Sequence, residues 1–352
     1  MGIDFLRFVC ALMVICIHVN FVGKEYVLPA LRISVPLFAM ISGYFYPDTE
    51  KNGRKAAQIK KILVLTLLSG AIYILWDLVV SYIRGGYFWA GVSIIPYALE
   101  WLRYLVMESP ELWRYCFLFN NPPSGPHLWY MGAILYVLVL VAIVDRFVHR
   151  RRLYFLIPIL LIGNLLLGAY SEPLFGVQYK LIYSRNYLFT ILPFFLLGDF
   201  IGSHKHKLKP GSAALGFILI ASMITAYFES RFLYTHFGAE GANLYVSTIF
   251  SAVCALLLAD SELPFFDRPF VKFLAGLGRK YSTGLYLMHY MVFLALGFAE
   301  KVLQRRIPAA FYGVSIVSPV SVALITLLIL LFFKSLTGLW RNLQSKPQRT
   351  MK

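Results

Sequence analysis

Ten mostly apolar stretches, each near the roughly 20 residues that a helix needs to cross the hydrocarbon core of a bilayer, recur along this chain. They fall at about 7–22, 33–47, 62–83, 127–144, 153–169, 187–202, 212–228, 243–259, 281–299 and 311–333. The expected fold is therefore all-α: a polytopic membrane protein of about ten transmembrane helices. Composition agrees, because 59% of residues are hydrophobic and only 14% charged, against roughly 45–50% and about 25% in soluble domains. So few charges do not cover the surface of a water-soluble globule of this size. No internal repeat, low-complexity tract or extramembrane domain stands out, so residues 1–340 are expected to form one transmembrane domain followed by a basic tail at 341–352.

The formal charge of +16 could point to nucleic acid, and the placement of the charges decides against it. The Lys and Arg residues sit in the loops between apolar runs, and with the N-terminus in the cytoplasm 21 of the 33 fall on cytoplasmic segments. That asymmetry obeys the positive-inside rule and predicts that both termini face the cytoplasm. A cleaved signal peptide is not expected, since Asp4 interrupts the charged start and no small-x-small site precedes Phe21. In the outer loop 84–126, residues 87–107 are apolar but carry Pro96, Glu100 and Arg103, which suits an amphipathic segment lying on or dipping into the membrane. Cys10, Cys16 and Cys254 lie in apolar runs and Cys116 is alone in its loop, so no structural disulfide is implied.

Titratable groups inside spans cost several kcal/mol unless paired or hydrated, which makes each a functional candidate. In the first helix Asp4 and Arg7 are three apart and can pair on one face, and His18 lies eleven beyond Arg7, about three full turns. A polar stripe thus runs from the cytoplasmic headgroups, at Arg7, past the midplane, at His18, over roughly 16 Å. The alternative is an ordinary interfacial anchor at Asp4 and Arg7 with a helix-packing hydrogen bond at His18. His127 and Trp129 open the fourth span, where an aromatic belt would also explain the tryptophan. His289 lies in the ninth span near Ser282, Tyr286 and Tyr290, and is either a functional group or a satisfied core histidine. Asp77 and Asp199 are further intramembrane acids whose partners do not follow from spacing.

The run Lys51, Arg54, Lys55, Lys60, Lys61 abuts the cytoplasmic end of the third span. It serves either topology alone or an anion site, where an extended phosphorylated donor could enter and reach toward His18. No phosphate loop, G-x-S-x-G elbow, H-E-x-x-H site or paired C-x-x-C occurs, so ATP hydrolysis, serine hydrolysis and metal chemistry lack support, and no metal is expected.

Arg7 and His18 reproduce the Arg-x10-His signature in the first helix of the acyltransferase-3 family of integral-membrane O-acyltransferases, and IDFLRFVCALMVICIHVN at 3–20 resembles that family throughout. So do VPLFAMISGYFY at 35–46, which contains Ser42, HLWYM at 127–131, FFLLGDFIG at 194–202 and STGLYLMH at 282–289. The resemblance implies an acyl-CoA donor, usually acetyl-CoA, and transfer to a hydroxyl of a cell-surface sugar, with His18 catalytic and Arg7 its partner. Expected donor contacts are Arg54, Lys55, Lys60 and Lys61, while Asp4, Ser42, His127, Trp129 and His289 are candidate substrate or structural residues. The acceptor would be a glycan or lipid-linked sugar, the location a bacterial cytoplasmic membrane, and other cell-envelope polysaccharide enzymes the expected protein partners. His18 would act as general base on the acceptor hydroxyl, or through an acetyl-histidine intermediate.

The chain departs from the family at the start of the third helix, where RKAAQIKK at 54–61 replaces the usual Arg-x-x-Arg, so the match there is one of charge rather than of residue. Some relatives carry an extracytoplasmic esterase-like domain; none lies within these residues, so the acceptor is expected to meet the membrane domain directly. The N-terminal half also resembles the membrane domain of the serine racemases of vancomycin resistance, which leaves a transporter of a small polar solute such as an amino acid as the alternative. The absence of internal repeats weighs against it.

Overall fold

The computed structural model describes residues 1–107, 109–208, 210–239, 244–307 and 315–344, with side chains to residue 337. Among them there are helices and no strand. In chain order the α-helices are α1 (Gly2–His18), α2 (Lys24–Leu31), α3 (Ser34–Tyr44), α4 (Tyr46–Lys51) and α5 (Lys55–Arg84). Next come α6 (Ile94–Met107), α7 (Pro110–Phe119), α8 (Trp129–Val144), α9 (Leu156–Leu167) and α10 (Ser171–Phe175). The last five are α11 (Leu192–His204), α12 (Ser212–Phe237), α13 (Val246–Asp260), α14 (Pro269–Arg306) and α15 (Pro319–Gln344).

Seven helical stretches among the described residues are long and apolar enough to cross a membrane: Lys24–Lys51, Lys55–Arg84, Pro126–Val144, Tyr187–His204, Ser212–Phe237, Pro269–Arg306 and Pro319–Thr337. Each overlaps one of the ten expected spans. The other three expected spans are the shorter helices α1, α9 and α13, of 17, 12 and 15 residues. At about 1.5 Å per residue the 12 residues of α9 rise roughly 18 Å, short of a core about 30 Å thick. A short 3-10 turn, Arg150–Phe155, and the break at Gly168 confine α9. Of the expected outer segment 87–107, residues 94–107 form α6, which buries none of its residues, and 87–93 lie in turns and a short connection before it. Most of the expected tail at 341–352, and the start of the span at 311–333, lie outside the described residues.

The chain forms two compact units, one of Ile3–Lys24 with Pro264 onward and one of Glu25–Leu263. In the first, α1, α14 and α15 share a core of Ile15, Val19, Val292 and Val322. Gly278 of α14 lies so close to α1 that an added Cβ would stand 2.0 Å from the Asp4 carbonyl oxygen and 2.9 Å from the Phe8 nitrogen. Only a residue without a side chain fits there. Pro269 suits the first turn of α14, where its missing N–H costs nothing, and Pro308 in the sequence disfavours helix at Ile307, where α14 stops.

In the second unit α3 and α11 pack backbone to backbone. A Cβ at Gly43 would lie 1.9 Å from the Phe195 carbonyl oxygen, one at Gly198 1.9 Å from that of Met40, and one at Gly202 2.2 Å from that of Tyr44. Gly198 and Gly202 make a Gly-x-x-x-Gly spacing, which lets membrane helices approach where lipid supplies no hydrophobic drive between them. α12 and α13 form a hairpin joined by Ser222 and Ser251, whose hydroxyls are 2.8 Å apart. Glu229 of α12 accepts from the Val246 and Ser247 amides at 2.8 and 3.0 Å, closing the N-terminus of α13.

Candidate functional site

α1 is apolar apart from its ionisable stripe, and the first unit gives that stripe two sets of partners. At its start Arg7 Nη1 donates to Asp4 Oδ1 at 2.9 Å, the pairing that an i, i+3 spacing predicts. Asp4 is 8% exposed, and its second oxygen accepts from Arg279 Nε at 2.8 Å and Nη2 at 2.7 Å. One buried carboxylate therefore holds two guanidinium groups, from α1 and α14. The close approach at Gly278 brings the neighbouring Arg279 within reach of Asp4.

At the other end of α1, His18 lies beside His289 and Tyr290 of α14, with ring centroids 5.3 and 5.4 Å away. His289 is fully buried, and its Nδ1 lies 3.0 Å from the Leu285 carbonyl and 2.7 Å from that of Tyr286. Both partners only accept, so Nδ1 carries the hydrogen, and the ring is tied to its own helix. Contacts at Asp4–Arg279 and again at His18–His289 require α1 and α14 to run parallel. Each helix carries an Arg near one contact and a His near the other.

The remaining sequence candidates lie in the second unit. Lys55 donates to Glu50 at 2.5 Å and Asp145 at 2.9 Å, so it is held by carboxylates, whereas Arg54, Lys60 and Lys61 are exposed. Ser42 donates to the Phe38 carbonyl of its own helix at 2.9 Å. His127 is buried with its ring 4.9 Å from that of Tyr73, and the Arg185 guanidinium covers Trp129 at 5.4 Å. Asp77 accepts from the Ser124 hydroxyl.

Asp199, whose partners spacing could not supply, is 0% exposed. It accepts from Arg150 Nε at 3.0 Å on each oxygen and from Tyr154 at 2.7 Å. Arg150 also donates to Glu50, and its guanidinium lies 5.2 Å from the centre of the Tyr46 ring. Burial disfavours the Arg150 charge, but the Asp199 and Glu50 carboxylates outweigh it and raise the pKa above the usual arginine value. This network links α4, α5, α8 and α11 through saturated ion pairs and reads as structural.

Sequence reasoning missed Arg279. Its signal was present: Arg279 precedes His289 by ten residues, nearly the spacing of Arg7 and His18.

The described residues thus define a multi-pass helical membrane protein with a paired Arg–His stripe on two parallel helices. Residues 2–334 match the acyltransferase-3 family, described as an acyltransferase domain, and the chain belongs to that family. It is also similar to a protein named an amino-acid racemase of Enterococcus faecalis, 27% identical over 279 residues. That match covers 72% of this chain, and the chain spans 35% of the length of that relative. No solved structure matches.

Proposed function

We propose that the protein is an O-acyltransferase that moves an acetyl group from acetyl-CoA to a hydroxyl of a cell-surface glycan or its lipid-linked precursor, in a bacterial cytoplasmic membrane. The observation that carries this reading is α1 itself, with Arg7 tied to Asp4 at one end and His18, about three turns on, against His289 and Tyr290. A histidine so placed is suited to act as a general base.

His18 takes the proton of the acceptor hydroxyl as its oxygen attacks the thioester carbonyl. The tetrahedral adduct collapses, the carbon–sulfur bond breaks, and coenzyme A leaves as a thiolate that regains the proton from the imidazolium. The products are an acetyl ester and coenzyme A, with no net proton change. Arg54, Lys60 and Lys61, exposed and basic, are suited to draw in the phosphates of the donor. The acceptor is a glycan or lipid-linked sugar met at the membrane domain, and other envelope polysaccharide enzymes supply it.

A second reading, transport of a small polar solute such as an amino acid, draws on the relative named for amino-acid racemisation. Equilibrium binding to detergent-purified protein separates the two. Saturable binding of acetyl-CoA with none of serine supports the transferase; serine binding with no binding of acetyl-CoA or coenzyme A supports the transporter.

A further inference from the structure

We infer that Arg279, clamped with Arg7 on the Asp4 carboxylate, forms a phosphate subsite for the nucleotide end of acyl-CoA. The inference rests on the transferase reading and adds a residue to it.

Two guanidinium groups bonded at 2.7–2.9 Å to the two oxygens of one carboxylate lie side by side. Asp4 neutralises one of the two positive charges, which leaves the trio at net +1. The burial is graded: the side chain of Asp4 is 12% exposed, that of Arg7 28% and that of Arg279 66%. The carboxylate is thus the inner anchor and Arg279 the outer face. Arg279 spends Nε–H and one Nη2–H on Asp4, and its planar fork keeps three further N–H donors, both of those on Nη1 included. That is the geometry of a preorganised phosphate receptor: a guanidinium whose orientation is fixed by an acid behind it and whose remaining donors face outward. Lys280, exposed and next in sequence, adds positive charge.

The location fits the same ligand. The clamp is at the start of α1 and His18 is at its end. A phosphate held at Arg279, beside Asp4, would leave an extended pantetheine arm to run about four turns of α1, roughly 21 Å, toward His18. A helix–helix tie alone needs one arginine on Asp4. The second, Arg279, brings donors that the tie to Asp4 does not use.

Phosphate chemistry could also come from a lipid headgroup, so the test separates the two sources. Binding of coenzyme A and of acetyl-pantetheine, which has no phosphate, is measured on detergent-purified wild type, Arg279→Ala and Arg279→Lys, with and without phosphatidylglycerol. Variants are compared with wild type by thermal midpoint and gel filtration. We expect Arg279→Ala to weaken coenzyme A by roughly tenfold or more, as for loss of charged hydrogen bonds, and to leave acetyl-pantetheine unchanged. Arg279→Lys keeps a charge beside Asp4 and should lose a few-fold, which keeps the test open if the alanine variant does not fold. Coenzyme A affinity unchanged in both variants overturns the inference, whatever phosphatidylglycerol does, and so does equal weakening of both ligands. No binding of coenzyme A by the wild type overturns the transferase reading instead.

Discussion

The imidazoles of His18 and His289 stand 5.3 Å apart, centre to centre, with their planes tilted by 39°. The two rings come from helices that also meet at Asp4 and Arg279, so one contact at each end fixes the register of α1 against α14. Sliding either helix by one residue would swing its stripe by about 100° and separate both pairs at once. The histidine proposed as general base is thus placed by packing along the whole length of α1, including Gly278, rather than by local turns.

Replacing Gly198 by alanine should destabilise the protein strongly. The new Cβ would meet the Met40 carbonyl at 1.9 Å, with backbone on both sides and no flexible group to yield. A cost of about 1–3 kcal/mol or more is expected. Gly216→Ala, in α12 with nothing within 4 Å, is the control and should leave the thermal midpoint unchanged or slightly raised. Equal midpoints for the two variants would contradict the α3–α11 packing.

Arg150→Ala should cost about 3–5 kcal/mol, because it leaves the buried Asp199 carboxylate without its countercharge. Lys205→Ala removes a part-exposed partner of Asp48, at 3.7 Å, and should change stability by no more than about 1 kcal/mol. Thermal unfolding in detergent, followed by tryptophan emission, ranks the two. A larger loss in Lys205→Ala would mean that the Arg150 network does not tie the helices as described.

Glu229→Ala should cost about 1–2 kcal/mol by exposing the amides of Val246 and Ser247 at the start of α13. Hydrogen exchange gives the local readout: faster exchange confined to the first turn of α13 is expected, and unchanged protection there would count against the cap.

The all-helical fold was legible from apolar runs because membrane solvation imposes a length that sequence displays directly. Helix lengths were less legible: α1, α9 and α13 have 17, 12 and 15 residues, because turns and helix breaks interrupt apolar runs that hydropathy reads as continuous. The Asp4–Arg7 pair was legible because both residues share one helix turn. Arg150 and Asp199 were not, since 49 residues separate them and only the packing of α11 brings them together. Arg279 was hidden for the same reason: its acid lies 275 residues away on α1. Lys55 shows the converse, a residue expected to meet the donor that the fold places between Glu50 and Asp145.

Acetyl transfer is expected to depend on His18. Membranes containing wild type or His18→Ala are supplied with acetyl-CoA radiolabelled in the acetyl group, and label is counted in the extracted glycan and lipid-linked sugar fractions. The wild type should transfer label. His18→Ala, inserted at the same level and with an unchanged thermal midpoint, should lose at least roughly 100-fold of it, the lower end of what a positioned general base contributes. Transfer by His18→Ala within a few-fold of wild type would mean that His18 is not the general base.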